Sequence, residues 1–307
     1  MKTYNELAKY YDLTYLKKDY AKEIKLLTRF IFSNKKSWGR DLLDVACGTG
    51  RHISLLKNRF TCTGVDVSPA MLKEAKKNSR GVKFFKGDMK NFKLNKSFDV
   101  VTCLFSAIGH LKNYNELEKT IKNFSAHLKP GGVLLIEPWM TNIDFNQAPY
   151  LLTYESEDLK IARLSVGKGN GDNMTFDFNF LVAEKGKPVK HFIDVMTLTK
   201  FDVKKTKKIM EKYGMKARFD KRGILTGKGL FIGTKRFEQQ KKETKINSKK
   251  TKLKHRAKQN HRKLRVGKLI VNRSKAKIKS RNHGVRTLQS ATLSYTSLTK
   301  TAWSCCQ

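Results

Sequence analysis

The sequence predicts a doubly wound, mostly parallel α/β sheet that carries an antiparallel insertion and a basic tail. Three observations predict it. From Asp41 onward, short apolar runs alternate with segments of helical spacing, the order of a parallel sheet with crossover helices. A glycine-rich turn, Ala46-Cys47-Gly48-Thr49-Gly50, closes the first apolar run. From about residue 150 the period changes to apolar–polar alternation, the mark of antiparallel strands with one wet face.

The elements follow in order. Residues 4–32 read as helical, with Tyr, Leu and Ile recurring at helical spacing. Residues 42–46 form the first strand, followed by the glycine turn and a helix from about Arg51. Residues 62–66 form the second strand, and Pro69 then opens a helix with Ser68 as its N-cap. Strands three and four fall at 82–86 and 98–104. A helix over 115–128 is expected to stop at Pro130-Gly131-Gly132, with strand five at 133–137. The insertion, about 141–200, holds three or four strands turning at 167–173 and 186–188, a lid or substrate-binding sheet. A helix over 202–213 and strands at 215–220 and 229–234 close the sheet. One folded domain over 1–237 is therefore expected. Residues 238–307 lose apolar periodicity and are expected to be disordered.

The chain has 307 residues, and its 39% hydrophobic and 10% aromatic content can build a proper core. The net charge of +39 is unevenly spread, because residues 238–307 hold 20 Lys+Arg against 2 Asp+Glu. A basic surface draws nucleic acids, acidic membranes and phosphorylated small molecules alike, so sign alone selects no partner. Among five cysteines no CxxC pair occurs, and Cys47, Cys62 and Cys103 fall in strand patterns. They read as reduced core thiols of a cytoplasmic protein rather than a disulfide frame or zinc site. The longest apolar runs, such as Val133-Leu134-Leu135-Ile136, are too short to cross a bilayer, and no membrane partner is expected.

The glycine turn separates two ligand classes. Glycines there let the backbone approach a ligand and aim helix N–H groups at it. A nicotinamide-binding turn needs a third glycine three residues after Gly50, for a helix packed beside a pyrophosphate, and Ile53 occupies that position. A ligand without a pyrophosphate is favoured. Acids support it: Asp66 ends strand two and is placed to accept both ribose hydroxyls. Asp44, two residues before Ala46, is placed to serve an ammonium group directly or through water. Asp88 follows strand three beside Met89, suited to an adenine amino group and ring. The ordered set Asp44, Ala46, Gly48, Gly50, Asp66, Asp88 and Met89 points to S-adenosylmethionine.

Tyr11-Asp12-Leu13-Thr14-Tyr15, the glycine turn, Gly87-Asp88-Met89, the stretch opening at Phe105, Glu137-Pro138-Trp139 and Gly229-Leu230-Phe231-Ile232-Gly233 together resemble a known family. It is the class I N-methyltransferases of amino sugars, above all the dTDP-3-amino-3,6-dideoxyhexose N,N-dimethyltransferases. The resemblance covers about residues 4–235. It implies that Tyr15 and His127 lie against the transferred methyl and the sugar. Tyr20 matches a residue near the cofactor's methionine end, and Phe105 belongs with the cofactor-binding residues. Lys228 stands where the family usually has Arg beside the sugar-nucleotide diphosphate, and Trp139 is placed to line the substrate pocket. Departures fall in the same region: His110 replaces a usual Tyr, Ala107 a usual Ser and Met140 a usual Trp.

The function expected is S-adenosylmethionine-dependent N-methylation of a small amine, such as an amino sugar on a nucleotide, by a monomer or homodimer. The alternative is methylation of RNA or a ribosomal component, with the tail as an anchor that holds nucleic acid without sequence preference. Against it, Phe105-Ser106-Ala107-Ile108-Gly109 stands where exocyclic-amine methylases carry Asn/Asp-Pro-Pro-aromatic. The tail also holds only Tyr295 and Trp303 for stacking on bases. A third reading, a structural protein that binds the cofactor without turnover, sits poorly with the full acid set.

Overall fold

A computed structural model of the chain describes residues 1–139, 148–224 and 228–237. The expected tail, 238–307, and Met140 lie outside the described residues. Seven strands form the main sheet: β1 (Asp41–Val45), β2 (Thr61–Asp66), β3 (Lys83–Lys86), β4 (Phe98–Cys103), β5 (Leu128–Ile136), β10 (Met215–Asp220) and β11 (Leu230–Lys235). Their spatial order is β10-β11-β5-β4-β1-β2-β3, with the β10–β11 and β11–β5 pairings antiparallel and the other four parallel. The chain order reverses at β1, which pairs with β2 on one side and β4 on the other. In such sheets ligands bind at this switch point, beyond the carboxyl ends of the strands.

Helices α2 (Tyr20–Asn34), α3 (Arg51–Leu56), α4 (Pro69–Asn78), α5 (Tyr114–Ala126) and α6 (Val203–Lys212) cover the sheet, and α1 is a single turn at Ala8–Tyr11. The expected Ser68 cap forms, accepting from the Met71 N–H, and Asp202 caps α6 by accepting from Lys205, each satisfying one orphan donor of a first turn. Two clusters of buried residues occupy the two faces. One gathers Leu43, Val65, Val101, Phe124 and Phe231, the other Leu42, Ile53, Val100, Leu135 and Ile232. Neighbouring residues of β1 and β4 thus point to opposite sides, as strand geometry requires.

Two expectations need correction. The single helix over 4–32 is broken: α1 runs into a 3₁₀ turn at Asp12–Tyr15, and Asp19 restarts the chain by accepting from the Lys22 N–H. Thr14 Oγ1 donates to the Tyr11 carbonyl at 2.7 Å, tightening that turn. Residues 1–18 can then lie across the top of the sheet instead of along its face. Pro130-Gly131-Gly132 also does not stop the helix, which ends at Ala126, because these residues lie inside β5. A register irregularity against β4, between Phe98 and Val100, accommodates them.

The alternating segment folds as a separate four-stranded antiparallel sheet: β6 (Tyr150–Glu155), β7 (Leu159–Asn170), β8 (Asn173–Glu184) and β9 (Lys190–Thr199). One face buries Ile161, Phe178, Phe180, Val182, Met196 and Leu198 against Leu7 and Tyr10 of the N-terminal segment. No helix among the described residues is long and apolar enough to cross a membrane.

Candidate active site

The sequence forces an unusual backbone at the switch point. Ala46 after β1, and Phe105 and Ser106 after β4, take left-handed φ values of 56°, 51° and 62° without being glycine. Each such residue costs on the order of 1–3 kcal/mol, and surrounding contacts must hold it there. Glu137, buried at the end of β5, does so for Phe105 by accepting its N–H at 2.7 Å. Ser106 is fixed by donating to the Pro138 carbonyl at 3.1 Å. Gly48 and Gly50 are also left-handed, and a Cβ at Gly48 would meet nothing within 4 Å, so that turn opens into space. At Gly50 a Cβ would come within 3.2 Å of Ala75, so this glycine serves the packing of α3 on α4.

Two cavities meet above these turns. The first, about 630 Å³, is lined by Ala46, Gly48, Asp66, Met71, Met89 and Phe105, among others. The second, about 550 Å³, includes Tyr15, Phe105, Trp139, Arg163, Phe178 and Lys228. Both are lined by Tyr4, Tyr11, Phe105 and His110, which therefore stand where the cavities join. The N-terminal segment roofs the junction. Asp12 ties it to the glycine turn, accepting from Thr49 Oγ1 at 2.5 Å and from Asn78 Nδ2 at 3.0 Å. On the other side the Thr3 N–H donates to Asp194 of β9 at 2.8 Å.

Asp66 has its carboxylate in the first cavity. One oxygen accepts from the Gly48 N–H at 2.8 Å and the other from the Ser68 N–H at 2.9 Å, which leaves a lone pair on each for a ligand's hydroxyls. Burial raises its pKa against the backbone hydrogen bonds from Ser68, Gly48 and Val67. Burial likewise pushes the Lys228 ammonium down, and the nearby Glu137 charge opposes this. Lys228 Nζ donates to Ser106 Oγ at 3.0 Å and sits 4.9 Å from the Trp139 ring centroid. Across the second cavity, Arg163 lies 5.2 Å from the Phe178 ring and reaches Tyr15 Oη at 3.4 Å. Among the described residues its buried Nε has no hydrogen-bond partner. Those that line this second cavity include no carboxylate.

Of the residues singled out in the sequence, the structure thus gathers Ala46, Gly48, Asp66, Met89 and Phe105 at one cavity, and Tyr15, Phe105, Trp139 and Lys228 at the other. Five lie elsewhere. His127 is the chief correction: it caps the C-terminus of α5, and its carbonyl accepts from the Phe98 N–H at the start of β4, the opposite end of that strand from the cavities. Its Nε2 accepts from the Leu94 N–H at 3.1 Å and its Nδ1 donates to the Asn123 carbonyl at 2.9 Å, so backbone groups use both ring nitrogens. Asp88 turns away, accepting from the Lys90 N–H at 2.9 Å, while Met89 lines the cavity. Asp44 is buried inside β1, beneath the turn, where Thr102 Oγ1 donates to it at 2.7 Å, too deep for direct ligand contact. Tyr20 packs edge-on against His52 at 5.2 Å, behind the glycine turn. Gly50 has the packing role given above. Sequence reasoning gave no role to Tyr4 or Arg163, since nothing local shows that residues 159 apart share a cavity. His110 was visible only as a departure from the family pattern.

With this geometry established, comparison with known proteins is direct. A methyltransferase-domain family matches residues 42–132. The dTDP-3-amino-3,4,6-trideoxy-alpha-D-glucopyranose N,N-dimethyltransferase of Streptomyces venezuelae is 34% identical over 227 residues, 73% of this chain and 95% of that protein. The chain belongs to the amino-sugar N,N-dimethyltransferases, a class I methyltransferase family. The crystal structure of Streptomyces venezuelae DesVI superposes with a TM-score of 0.69 at 33% identity, covering 74% of this chain and 98% of that one. SAM-bound CalS10, an amino pentose methyltransferase from Micromonospora echinaspora, gives 0.63 at 32% identity, covering 71% and 92%.

Proposed function

We propose that this chain transfers methyl groups from S-adenosylmethionine to the amino nitrogen of a nucleotide-linked amino sugar. The observation that carries the proposal is the pair of joined cavities, one with adenosyl-type groups and one with two cations and aromatic walls. The first cavity fits the cofactor. Asp66 offers a buried acceptor for ribose hydroxyls, the open Gly48 turn leaves room for close backbone approach, and Met89 and Leu104 supply apolar walls. S-adenosylmethionine, when bound, supplies an electrophilic methyl group on a sulfonium, so the amine lone pair forms the N–C bond as the C–S pair returns to sulfur. That leaving group needs no acid, and the chain's work is to orient the amine, exclude water and keep the nitrogen unprotonated. Orientation alone is worth about 7–11 kcal/mol.

The second cavity suits an acceptor that carries phosphate. Lys228 and Arg163 present cations to a space without a carboxylate among its described lining residues. Arg163, whose buried Nε has no hydrogen-bond partner among the described residues, and Lys228 could both donate to a diphosphate. Trp139, Phe176 and Phe178 offer apolar surface to a deoxygenated sugar ring or a base. The experiment is incubation with S-adenosylmethionine and dTDP-3-amino-3,6-dideoxyglucose, with free amino sugars, glycine and total RNA beside it. Mass addition of methyl groups to the nucleotide sugar supports the proposal; labelling of RNA alone overturns it.

We further propose that residues 1–237 hold this machinery complete, with 238–307 as a separate basic tail whose nucleic-acid binding is non-specific, and that the enzyme acts in the cytoplasm, where its buried free thiols Cys47, Cys62 and Cys103 stay reduced. A homodimer is favoured over a monomer. The outer face of the antiparallel sheet exposes Leu151, Leu164, Val166, Leu181, Ile193 and Val195 between 44% and 60%. Leu151, Leu164, Asn179 and Ile193 form one row across the strands. A face that sets these apolar side chains around Asp177 and Asn179, with Lys168 and Thr175 at one end and Glu155 and Lys160 at the other, suits a second copy. Leu164→Lys should shift the sedimentation of a dimer to that of a monomer.

A further inference from the structure

His110 ends the short 3₁₀ turn Ala107–His110, directly after the strained pair Phe105–Ser106. It is half-buried and lines both cavities, so its ring stands where a methyl donor and an acceptor amine must meet. Three other residues share that position, and each differs from it chemically. Phe105 offers no polar side-chain atom, Tyr4 Oη already contacts His110 Nε2 and Met196 Sδ, and Tyr11 carries a hydroxyl, a weaker acceptor than an imidazole nitrogen. A nitrogen about to attack a sulfonium needs its lone pair turned to the methyl, and the surest way to turn it is to give its N–H a fixed acceptor.

The contacts around the ring bear on which nitrogen is that acceptor. His110 Nε2 lies 3.0 Å from Tyr4 Oη, with the rings edge-on at 5.5 Å. Tyr4 Oη has one proton, and Met196 Sδ, at 3.9 Å, is in place to receive it. The hydroxyl proton points either to Nε2, which puts the ring proton on Nδ1, or to sulfur, which makes Nε2 the donor to Tyr4 Oη. The second arrangement leaves Nδ1 as the unprotonated nitrogen, and among the described residues it has no hydrogen-bond partner. Burial supports the neutral ring, pushing the imidazole down to about 4.

We infer that His110, through Nδ1, accepts an N–H of the acceptor amine and aims its lone pair at the methyl donor, with Tyr4 and Met196 fixing the tautomer behind it. The inference rests on the proposed amine acceptor but differs from the family pattern, in which the usual residue at this position is Tyr. It assigns the reacting nitrogen to the junction, and the phosphate end of the acceptor to Lys228 and Arg163.

The test has two arms. Ring-nitrogen NMR of the ¹⁵N-histidine-labelled full chain, with His110 assigned by its loss in His110→Asn, should show a neutral, Nε2-protonated ring at pH 7. An Nδ1-protonated or cationic ring overturns the inference whatever the substrate proves to be. In the second arm, His110→Phe should lower kcat on dTDP-3-amino-3,6-dideoxyglucose by about 10- to 100-fold, the range of one oriented hydrogen bond. Affinity for S-adenosylmethionine, read by calorimetry, should stay within about twofold. His110→Asn, whose Oδ1 can stand where Nδ1 does, should recover most of that loss without recovering the Tyr4 contact. Equal kcat in wild type and His110→Phe, or equal damage in Phe and Asn, overturns the inference. A wild-type enzyme inert on the nucleotide sugar counts against the proposed acceptor, and the NMR arm then decides this one alone.

Discussion

Replacing Asp44 by Asn removes a charge from the middle of the sheet while leaving its hydrogen bond in place. Asp44 is 2% exposed, and Thr102 Oγ1 donates to it at 2.7 Å, a bond an amide oxygen can also accept. Burial pushes its carboxyl from 3.8 up to about 6, against the pull of His52 and Thr102 and with a smaller push from Asp66. The sign follows from linkage. A carboxyl whose folded pKa is raised contributes stability that is full below the unfolded pKa and is lost as pH rises through the folded one. The window is therefore about pH 4 to 6, and the shift, at about 1.4 kcal/mol per unit, leaves the native protein carrying a cost of about 3 kcal/mol at pH 7. Asp44→Asn should thus be more stable than wild type by about 3 kcal/mol at pH 7 and by less than about 1 kcal/mol at pH 4. In a domain of this size that is roughly 6–12 °C in Tm at neutral pH. Urea unfolding of both proteins without ligand, at the two pH values, measures it. The same variant should bind S-adenosylmethionine more weakly, because the charge beneath the turn complements the ligand's ammonium through the intervening backbone and water. Equal stabilisation at both pH values, or none at pH 7, would refute the reasoning, since then the buried charge is not what the sheet tolerates for the sake of the ligand.

Other outcomes follow from the same geometry. Asp66→Ala should weaken S-adenosylmethionine binding by about 2–3 kcal/mol, the scale of charge-assisted hydrogen bonds, in a protein that still folds; calorimetry with unchanged affinity rejects the ribose assignment. His127→Ala should leave kcat near wild type but cost about 1–3 kcal/mol of stability, because the Leu94 N–H loses its acceptor; a kcat loss at unchanged stability would return His127 to the chemistry. Arg163→Gln should raise KM for a nucleotide sugar about tenfold or more while hardly changing binding of S-adenosylmethionine, and equal effects on both ligands would show a packing role only. A chain ending at Phe237 should melt close to full length and keep small-molecule turnover, while salt-sensitive RNA binding, measured by filter retention, falls with the removed cations.

Much of this protein was legible in its sequence because the governing interactions are local. Strand–helix alternation reports which residues face a core, and the Gly48 and Gly50 turn reports a backbone that only glycine adopts freely. Asp66 was legible for the same reason: it ends a strand and is held by the N–H groups of its immediate surroundings, Ser68 and the adjoining turn. The change to period two predicted a second, antiparallel sheet, and the structure has four strands there. What the sequence could not carry was depth and distance. Asp44 and Asp88 look alike as acids near strand ends, yet one is sealed under the turn and the other is turned back on Lys90. His127 ends the crossover helix that feeds β5, so the parallel pairing of β4 with β5 puts it at the edge opposite the cavities, against its match to the family pattern. Tyr4, His110, Arg163 and Met196 have no sequence relation to one another. They meet because the N-terminal segment, broken from its expected helix, crosses the sheet top beneath the antiparallel strands. Local preference fixed the elements of this chain, and long-range packing, which places side chains by burial rather than by neighbours in sequence, decided which of its polar residues face a ligand.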